Sequence, residues 1–276
     1  MKLSIVIPAF NEAKRIAACV QSVLSALQAN PRPDLASEVI VADNNSTDAT
    51  AELARRSGAV VVFEPVNQIS RARNAGGKAA TGDWLLFIDA DSWLSAETMA
   101  DMLRVIENGQ CAGGGCVVAM DQAPFLGRHL IRSWNWLARA CKWAAGSFVF
   151  CRAQAFRDIG GFSQELFAAE EIEFSRKLKR WARAKGLKVV ILTPPTRTSA
   201  QAGSSTFTRK KNCCGTPSVP CSTARPRCGS AICWIIFMMA AGKGGMGELN
   251  RLFRRAAMPP PTNSRRDPAA VYSFFK

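Results

Sequence analysis

Apolar and polar positions along the first two-thirds of this chain fall into blocks whose periods predict strands and helices in turn. Residues 3–8 (LSIVIP) form a β-rich apolar run. The helix expected after it places Ile16, Val20, Val23, Leu24 and Leu27 on one face, and Asn30-Pro31-Arg32-Pro33 ends it. Residues 38–42 (EVIVA) read as a second strand. Ser46 or Thr47 is then expected to cap a helix that runs to about Ser57 and stops at Gly58. A third strand over 59–63 precedes a helix from about 69 to 80 with Ile69, Ala72, Gly76 and Ala79 inward. Residues 84–91 (WLLFIDAD) are the most informative stretch. A charge-free apolar run behind the turn signal Thr81-Gly82-Asp83 has the look of a fully buried parallel strand, and it ends in Asp89 and Asp91.

A helix through about Asn108 follows. Strand and helix signals then continue less regularly: a strand at 113–119, an aromatic-rich amphipathic helix at about 124–142, a short strand at 147–151, a helix at about 169–184 and a last strand at 188–192. Strictly alternating β and α elements predict an α/β fold with a doubly wound, mostly parallel sheet flanked by helices.

Beyond about Ser199 the periodicity fails, and charge separates the same two regions. Of 276 residues, 1–198 hold 24 Lys+Arg and 19 Asp+Glu, whereas 199–276 hold 12 and 2. The formal net charge of +15 therefore comes mostly from the tail, and nucleic acid is not an expected partner of the folded part. The expected organisation is one domain over 1–198, in two halves of about 1–110 and 111–198. An irregular basic, Cys- and Pro-rich tail follows over 199–276. That tail reads either as a poorly ordered native extension or as a segment translated out of frame. Residues 233–243 (CWIIFMMAAGK) can be encoded so that another frame reads LDHLHDGRRE, an ordinary soluble sequence.

The ten cysteines divide equally between the two regions. Cys19, Cys111, Cys116, Cys141 and Cys151 lie in apolar surroundings as small core residues do. The tail's cysteines lack paired metal-ligand spacing. Pro8, Asn11 and Glu12 interrupt the N-terminal apolar run too early for a signal peptide, and residues 231–242 are too short to span a bilayer. A soluble, cytoplasmic chain is expected.

Ligands of open α/β sheets sit beyond the carboxyl ends of the strands. Two acids there repel each other unless a cation compensates them, so Asp89 and Asp91 are candidate ligands, flanking Ala90, of a divalent metal (Mg2+ or Mn2+) shared with phosphate oxygens. A helix N-cap at Asp91 is the plainer alternative. The first strand ends in Pro8-Ala9-Phe10-Asn11-Glu12, where a dinucleotide binder carries glycines, and so a Rossmann pyrophosphate loop is disfavoured. Asp43 ends the second strand and can accept hydrogen bonds from a base or ribose, although the residues after it, through Asp48, are also turn and capping types.

Four blocks in order, SIVIPAFNEAKRI, VADNNSTDAT, SRARNAGGKAATGDWLLFIDAD and GGFSQELFAAEEIEFSRKL, resemble the family 2 glycosyltransferases, which have the GT-A fold; the resemblance covers about residues 1–195. It implies an inverting enzyme that takes a nucleotide-diphosphate sugar as donor and a saccharide or lipid-linked acceptor, with a nucleotide-binding half at about 1–110 and an acceptor-side half at about 111–198. By position, the resemblance puts Pro8, Ala9, Phe10 and Glu12 around base and ribose, Asp43 on the base, and Asp89 and Asp91 on ribose and metal. Arg73 matches the family's A-R-N block and is expected to help with the diphosphate charge. Arg71 and Lys78 read equally well as a solvated helix face, which Asn74 is expected to share.

Glu170, Glu171 and Glu173 open a helix and complement its dipole. Glu171, Phe174, Leu178 and Trp181 fall at i, i+3, i+7 and i+10, which turns Glu171 inward and Glu170 and Glu173 away. The family carries Glu-Asp here with the second acid as base. Glu171 is accordingly the expected base and Glu170 a helper near the acceptor. Gly146-Ser147 and Gly160-Gly161-Phe162 resemble loops flanking the acceptor cleft and also suit ordinary turns. Trp181 reads as core, and His129 has no partner in sequence. Trp134, Trp136 and Trp143, with Arg128, Arg132 and Arg139, offer peripheral contact with the inner face of a membrane, packing against the main domain being the alternative. Two rival functions stay open: a non-catalytic nucleotide-sugar or glycan-binding module, and a sugar nucleotidyltransferase.

Overall fold

The computed structural model describes residues 1–117, 136, 139, 144, 147–166 and 170–193. The chain divides into two units, Met1–Pro194 and Pro195–Lys276, and every described residue belongs to the first. The expected helix at 124–142, with Trp134, Trp143, Arg128, Arg132 and His129, lies outside the described residues, as do Cys141, Gly146 and the tail; Trp136 and Arg139 are exposed.

Among the described residues, seven strands make one sheet: β1 (Lys2–Ala9), β2 (Ala36–Asp43), β3 (Val60–Phe63), β4 (Trp84–Ile88), β5 (Cys111–Cys116), β6 (Phe148–Arg152) and β7 (Lys188–Leu192). Their spatial order is β3-β2-β1-β4-β6-β5-β7. β1 pairs in parallel with β2 and β4, β2 with β3, and β5 with β7, whereas β6 runs antiparallel to both β4 and β5. The sheet is thus mostly parallel, as expected. The inserted antiparallel β6 is the departure, and a five-residue apolar run carries no signal of strand direction.

The helices among the described residues are α1 (Ile16–Gln28), α2 (Thr50–Arg56), α3 (Ile69–Ala79), α4 (Ala96–Glu107), α5 (Ala153–Asp158) and α6 (Glu170–Ala184). Alternate residues of β4 divide between two cores. Trp84, Leu86 and Ile88 pack with Ile16, Val20, Val23, Met99 and Leu103 of α1 and α4. Leu85 and Phe87 pack with Phe156, Phe162, Phe174 and Leu178 on the other side. Cys19, Cys111 and Cys151 are buried free thiols within these cores, and Cys116 is partly buried. Among the described residues no helix is long and apolar enough to cross a membrane.

Two local expectations change. Neither Ser46 nor Thr47 caps α2. Ser46 Oγ accepts from Asn11 N (3.0 Å) and Thr47 N donates to Asn11 Oδ1 (2.8 Å), while Asp48 Oδ1 accepts from Thr50 N at 3.0 Å. The loop after β1 competes for the hydroxyls and leaves the first turn of α2 to Asp48. In α3 the inward face is not Ile69 and Ala79; Ser70, Ala72, Arg73, Asn74, Gly76 and Gly77 are buried. A Cβ on Gly76 would come within 2.4 Å of Val6 Cγ1. This close approach rotates the polar residues Arg73 and Asn74 into the protein, and so Asn74 leaves the polar surface it was expected to share with Arg71 and Lys78.

Candidate active site

The carboxyl ends of β1, β2 and β4 carry the site. Ala9 lies in register with Asp43 across β1 and β2, and Asn44 N donates to Ala9 O at 2.8 Å. The two following loops are laced together: besides the Asn11 bonds, Glu12 N donates to Thr50 Oγ1 (2.8 Å) and Ala13 N to Asp48 Oδ2 (3.2 Å). Asn11 and Asn45 hold left-handed backbone, with φ of 53° and 63°. Asparagine tolerates that conformation best among residues with a Cβ. Pro8, Ala9, Glu12 and Asp43 are buried here and Phe10 is half-buried. Asp43 Oδ1 accepts from Ser46 N at 3.3 Å. The two loops thus brace each other at the carboxyl ends of β1 and β2.

Asp89 leaves β4 half-buried, its backbone pinned by Asp89 N to Ser147 O (3.2 Å) and Ser92 N to Asp89 O (3.0 Å). Asp91 does not cap the following helix; Ser95 does, its Oγ accepting from Thr98 N. The side chain of Asp91 is open to solvent, yet enough protein surrounds its carboxyl that desolvation, then the charges of Asp89 and Glu12, push its pKa up against the pull of Arg15. Beneath it, burial and then Asp89, Asp91 and Glu12 push the Cys19 thiol up to about 12, so it stays neutral.

Arg73 joins the two ends of the cleft. Its NH2 donates to Asp89 Oδ1 at 2.9 Å, and its NH1 donates to Glu170 Oε1 at 2.8 Å and Glu171 Oε1 at 2.9 Å. Its side chain is 2% exposed. Burial alone works against the charge, but Glu171, Asp89 and Glu170 outweigh it and hold the guanidinium protonated. Asp89 and the paired glutamates thus stand within the span of one guanidinium and two hydrogen bonds. Arg73 was expected on a diphosphate; the structure turns it to the acids.

The acids of α6 exchange the expected orientations. The Glu170 side chain is 4% exposed and that of Glu171 18%. The helix is phased by Phe174, Leu178 and Ala182, and Glu170 stacks one turn above Phe174, whereas Glu171 is rotated toward the cleft. Burial, then the charge of Glu171, push Glu170 up, with Arg73 opposing. Trp181 is partly buried rather than core, its Nε1 donating to Asp158 Oδ2 at 2.8 Å.

Among the described residues, Asp89, Glu170 and Glu171 meet Arg73, and Glu12 meets the exposed Arg15, whose NH1 lies 3.1 Å from Glu12 Oε2. Carboxylate oxygens such as those of Asp89 and Asp91 are the hard donors that a divalent cation takes. Among the described residues no cluster of three His, Cys, Asp or Glu side chains could hold one. A cation here would take Asp91 and Asp89 and complete its shell with water and phosphate oxygens.

Acids at the carboxyl end of β4 thus stand opposite a second acid pair at the start of α6, joined to it by one guanidinium. The profile of the family described as Glycosyl transferase family 2 matches residues 4–162, and the chain belongs to that family. It is 34% identical over 137 residues to an uncharacterized glycosyltransferase of Mycobacterium tuberculosis, covering 50% of this chain and 54% of that one. The chain thus spans about half that relative's length. Among solved structures it resembles the mannosyltransferase PcManGT from Pyrobaculum calidifontis in complex with GDP-Man and Mn2+, at 22% identity and a TM-score of 0.55, over 71% of this chain and 58% of that one. It also resembles TarS 1–349 of S. aureus, at 21% identity and a TM-score of 0.52, over 70% and 58% of the two chains. These likenesses establish the GT-A fold.

Proposed function

We propose that this domain transfers a sugar from a nucleoside-diphosphate sugar to a hydroxyl of a saccharide or lipid-linked acceptor, with inversion at the anomeric carbon. The observation that carries the reading is the single buried guanidinium bridging Asp89, at the end of β4, to Glu170 and Glu171, at the start of α6. Family membership supports the reaction class. The solved relatives whose descriptions include GDP-Man with Mn2+ and UDP-GlcNAc support the donor class.

In this reading Pro8, Ala9, Phe10, Glu12 and Asp43 hold the nucleoside in the laced floor between β1 and β2. Asp89, Ala90 and Asp91 receive the ribose and diphosphate. Asp91 and Asp89 would hold a divalent cation, which would supply positive charge to offset that of the departing diphosphate. Glu171 takes the acceptor proton as the hydroxyl attacks; its Oε1 is engaged by Arg73, so Oε2 is the receiving oxygen. Glu170 and Arg73 fix that carboxylate rather than touch substrate. Attack from the side opposite the leaving group inverts the centre in one step.

Product analysis tests the reading against its rivals. Incubated with a panel of nucleotide sugars, an acceptor mixture and Mn2+, the chain is expected to release nucleoside diphosphate together with a glycosylated product. Release of pyrophosphate would indicate nucleotidyl transfer. Donor binding without any nucleoside diphosphate release would leave a binding module.

A further inference from the structure

Asp89 and Glu171 are carried by elements that do not pair with each other, yet transfer requires their separation to hold within about an ångström. Helix α3 reaches both. Arg73 supplies the polar link, and Asn74, the next residue, supplies a second one. Asn74 Nδ2 donates to Phe162 O at 2.8 Å, and Asn74 Oδ1 accepts from Phe162 N at 2.9 Å. The side-chain amide thus pairs with the Phe162 backbone much as a neighbouring strand would. Gly161 makes room for it: its φ is +70°, and a Cβ there would lie 2.5 Å from Asn74 Oδ1. Gln68, just ahead of α3, extends the clamp by donating from Nε2 to Gln164 O (2.8 Å) and Leu166 O (3.1 Å).

The ring of Phe162 touches three elements of the site's scaffold, α3, β4 and α6. It stacks on Phe174 of α6, with centroids 4.4 Å apart and an interplanar angle of 18°. It meets Phe87 of β4 edge-on at 5.0 Å, and the Arg73 guanidinium lies 5.2 Å from its centroid. Phe87 precedes Asp89 by two residues, and Phe174 follows Glu171 by three. Phe162 is 1% exposed.

We infer that Asn74 is a positioning residue: by clamping the backbone of Phe162 it fixes the ring that sets Glu171 against Asp89 and Asp91. The inference rests on the transfer reading above and adds to it the part that keeps donor side and base in register. Asn74 acts on the base and leaves the nucleoside floor, built by β1, β2 and their loops, alone.

The test uses the full chain with Asn74→Ala and, since that change leaves two buried backbone groups unpaired, Phe162→Leu as a second variant that keeps apolar bulk. Affinity for UDP and GDP with Mn2+ is measured by titration, and kcat and donor KM by nucleoside diphosphate release. In Asn74→Ala, kcat falls by at least about tenfold while Kd and donor KM stay within about twofold. Phe162→Leu moves the same way. In a Glu171→Gln background, Asn74→Ala lowers the residual rate no further, because the group it positions is gone. A general structural role would instead lower affinity and rate together, and would lower the residual rate of the Glu171→Gln chain as well; either result overturns the inference. An unchanged kcat in either folded variant also overturns it. Should Asn74→Ala fail to fold, Phe162→Leu decides alone. A wild-type chain that binds donor and releases no nucleoside diphosphate would refute the transfer reading itself, and the inference with it, before any variant is compared.

Discussion

Glu171→Gln is expected to lower the rate of sugar transfer by about 10²–10⁴-fold, the range that a general base supplies, with little change in affinity for nucleoside diphosphate. Glutamine keeps the length of the side chain and an oxygen for Arg73 NH1, but has no basic oxygen to receive the acceptor proton. Donor titration and single-turnover transfer measured side by side check this. Equal losses of binding and rate would mean that the substitution damages the fold instead. Glu170→Gln behaves differently, because the Glu170 side chain is buried, 4% exposed against 18% for Glu171. Its loss is felt through Arg73 and the orientation of its neighbour.

The second large effect falls on stability. Arg73→Met removes the cation from among three carboxylates, and breaking a buried ionic cluster costs about 3–5 kcal/mol. The lower part of that range applies, because Asp89 and Glu171 keep some contact with water. For a chain of this size the loss corresponds to a fall in melting temperature on the order of 10 °C. Arg73→Lys does not restore the wild type, since an ammonium cannot present the fork that reaches Asp89 with one nitrogen and both glutamates with the other. Thermal unfolding of both variants checks this. A melting temperature unchanged in Arg73→Met would show that the bridge carries little of the domain's stability.

The strands were legible because parallel strands buried on both faces are written as uninterrupted apolar runs. β1, β4 and β7 lie where EVIVA-like blocks of Leu, Ile and Val put them. The carboxyl ends of such strands locate a ligand cleft, which singled out Asp43, Asp89 and Asp91. The phase of α3 differs for a physical reason. Amphipathic reasoning places Asn74 in water and the resemblance sends Arg73 to a diphosphate, yet with Gly76 packed closely on Val6 both polar side chains lie inward and find partners. The signal was present in the combination of two polar residues followed by two glycines, Gly76 and Gly77, but periodicity alone cannot read it. The phase of α6 failed similarly. Trp181 was counted with the inward face, whereas its indole reaches Asp158 at the rim and Glu170 takes the buried position. Phe162 gave no sequence signal beyond a Gly-Gly-Phe turn, because its contacts come from three elements distant in the chain.

The most direct test of the proposed site is to titrate nucleoside diphosphate into the wild type and Asp91→Ala, each with and without Mn2+. Asp91 lies on the solvent side of the acid cluster and outside the Arg73 bridge, so its removal spares the fold. The wild type is expected to bind at least about tenfold more tightly with the metal than without it, and Asp91→Ala to lose that difference. Equal metal dependence in both proteins would contradict the assignment of the β4-end acids to the donor's diphosphate.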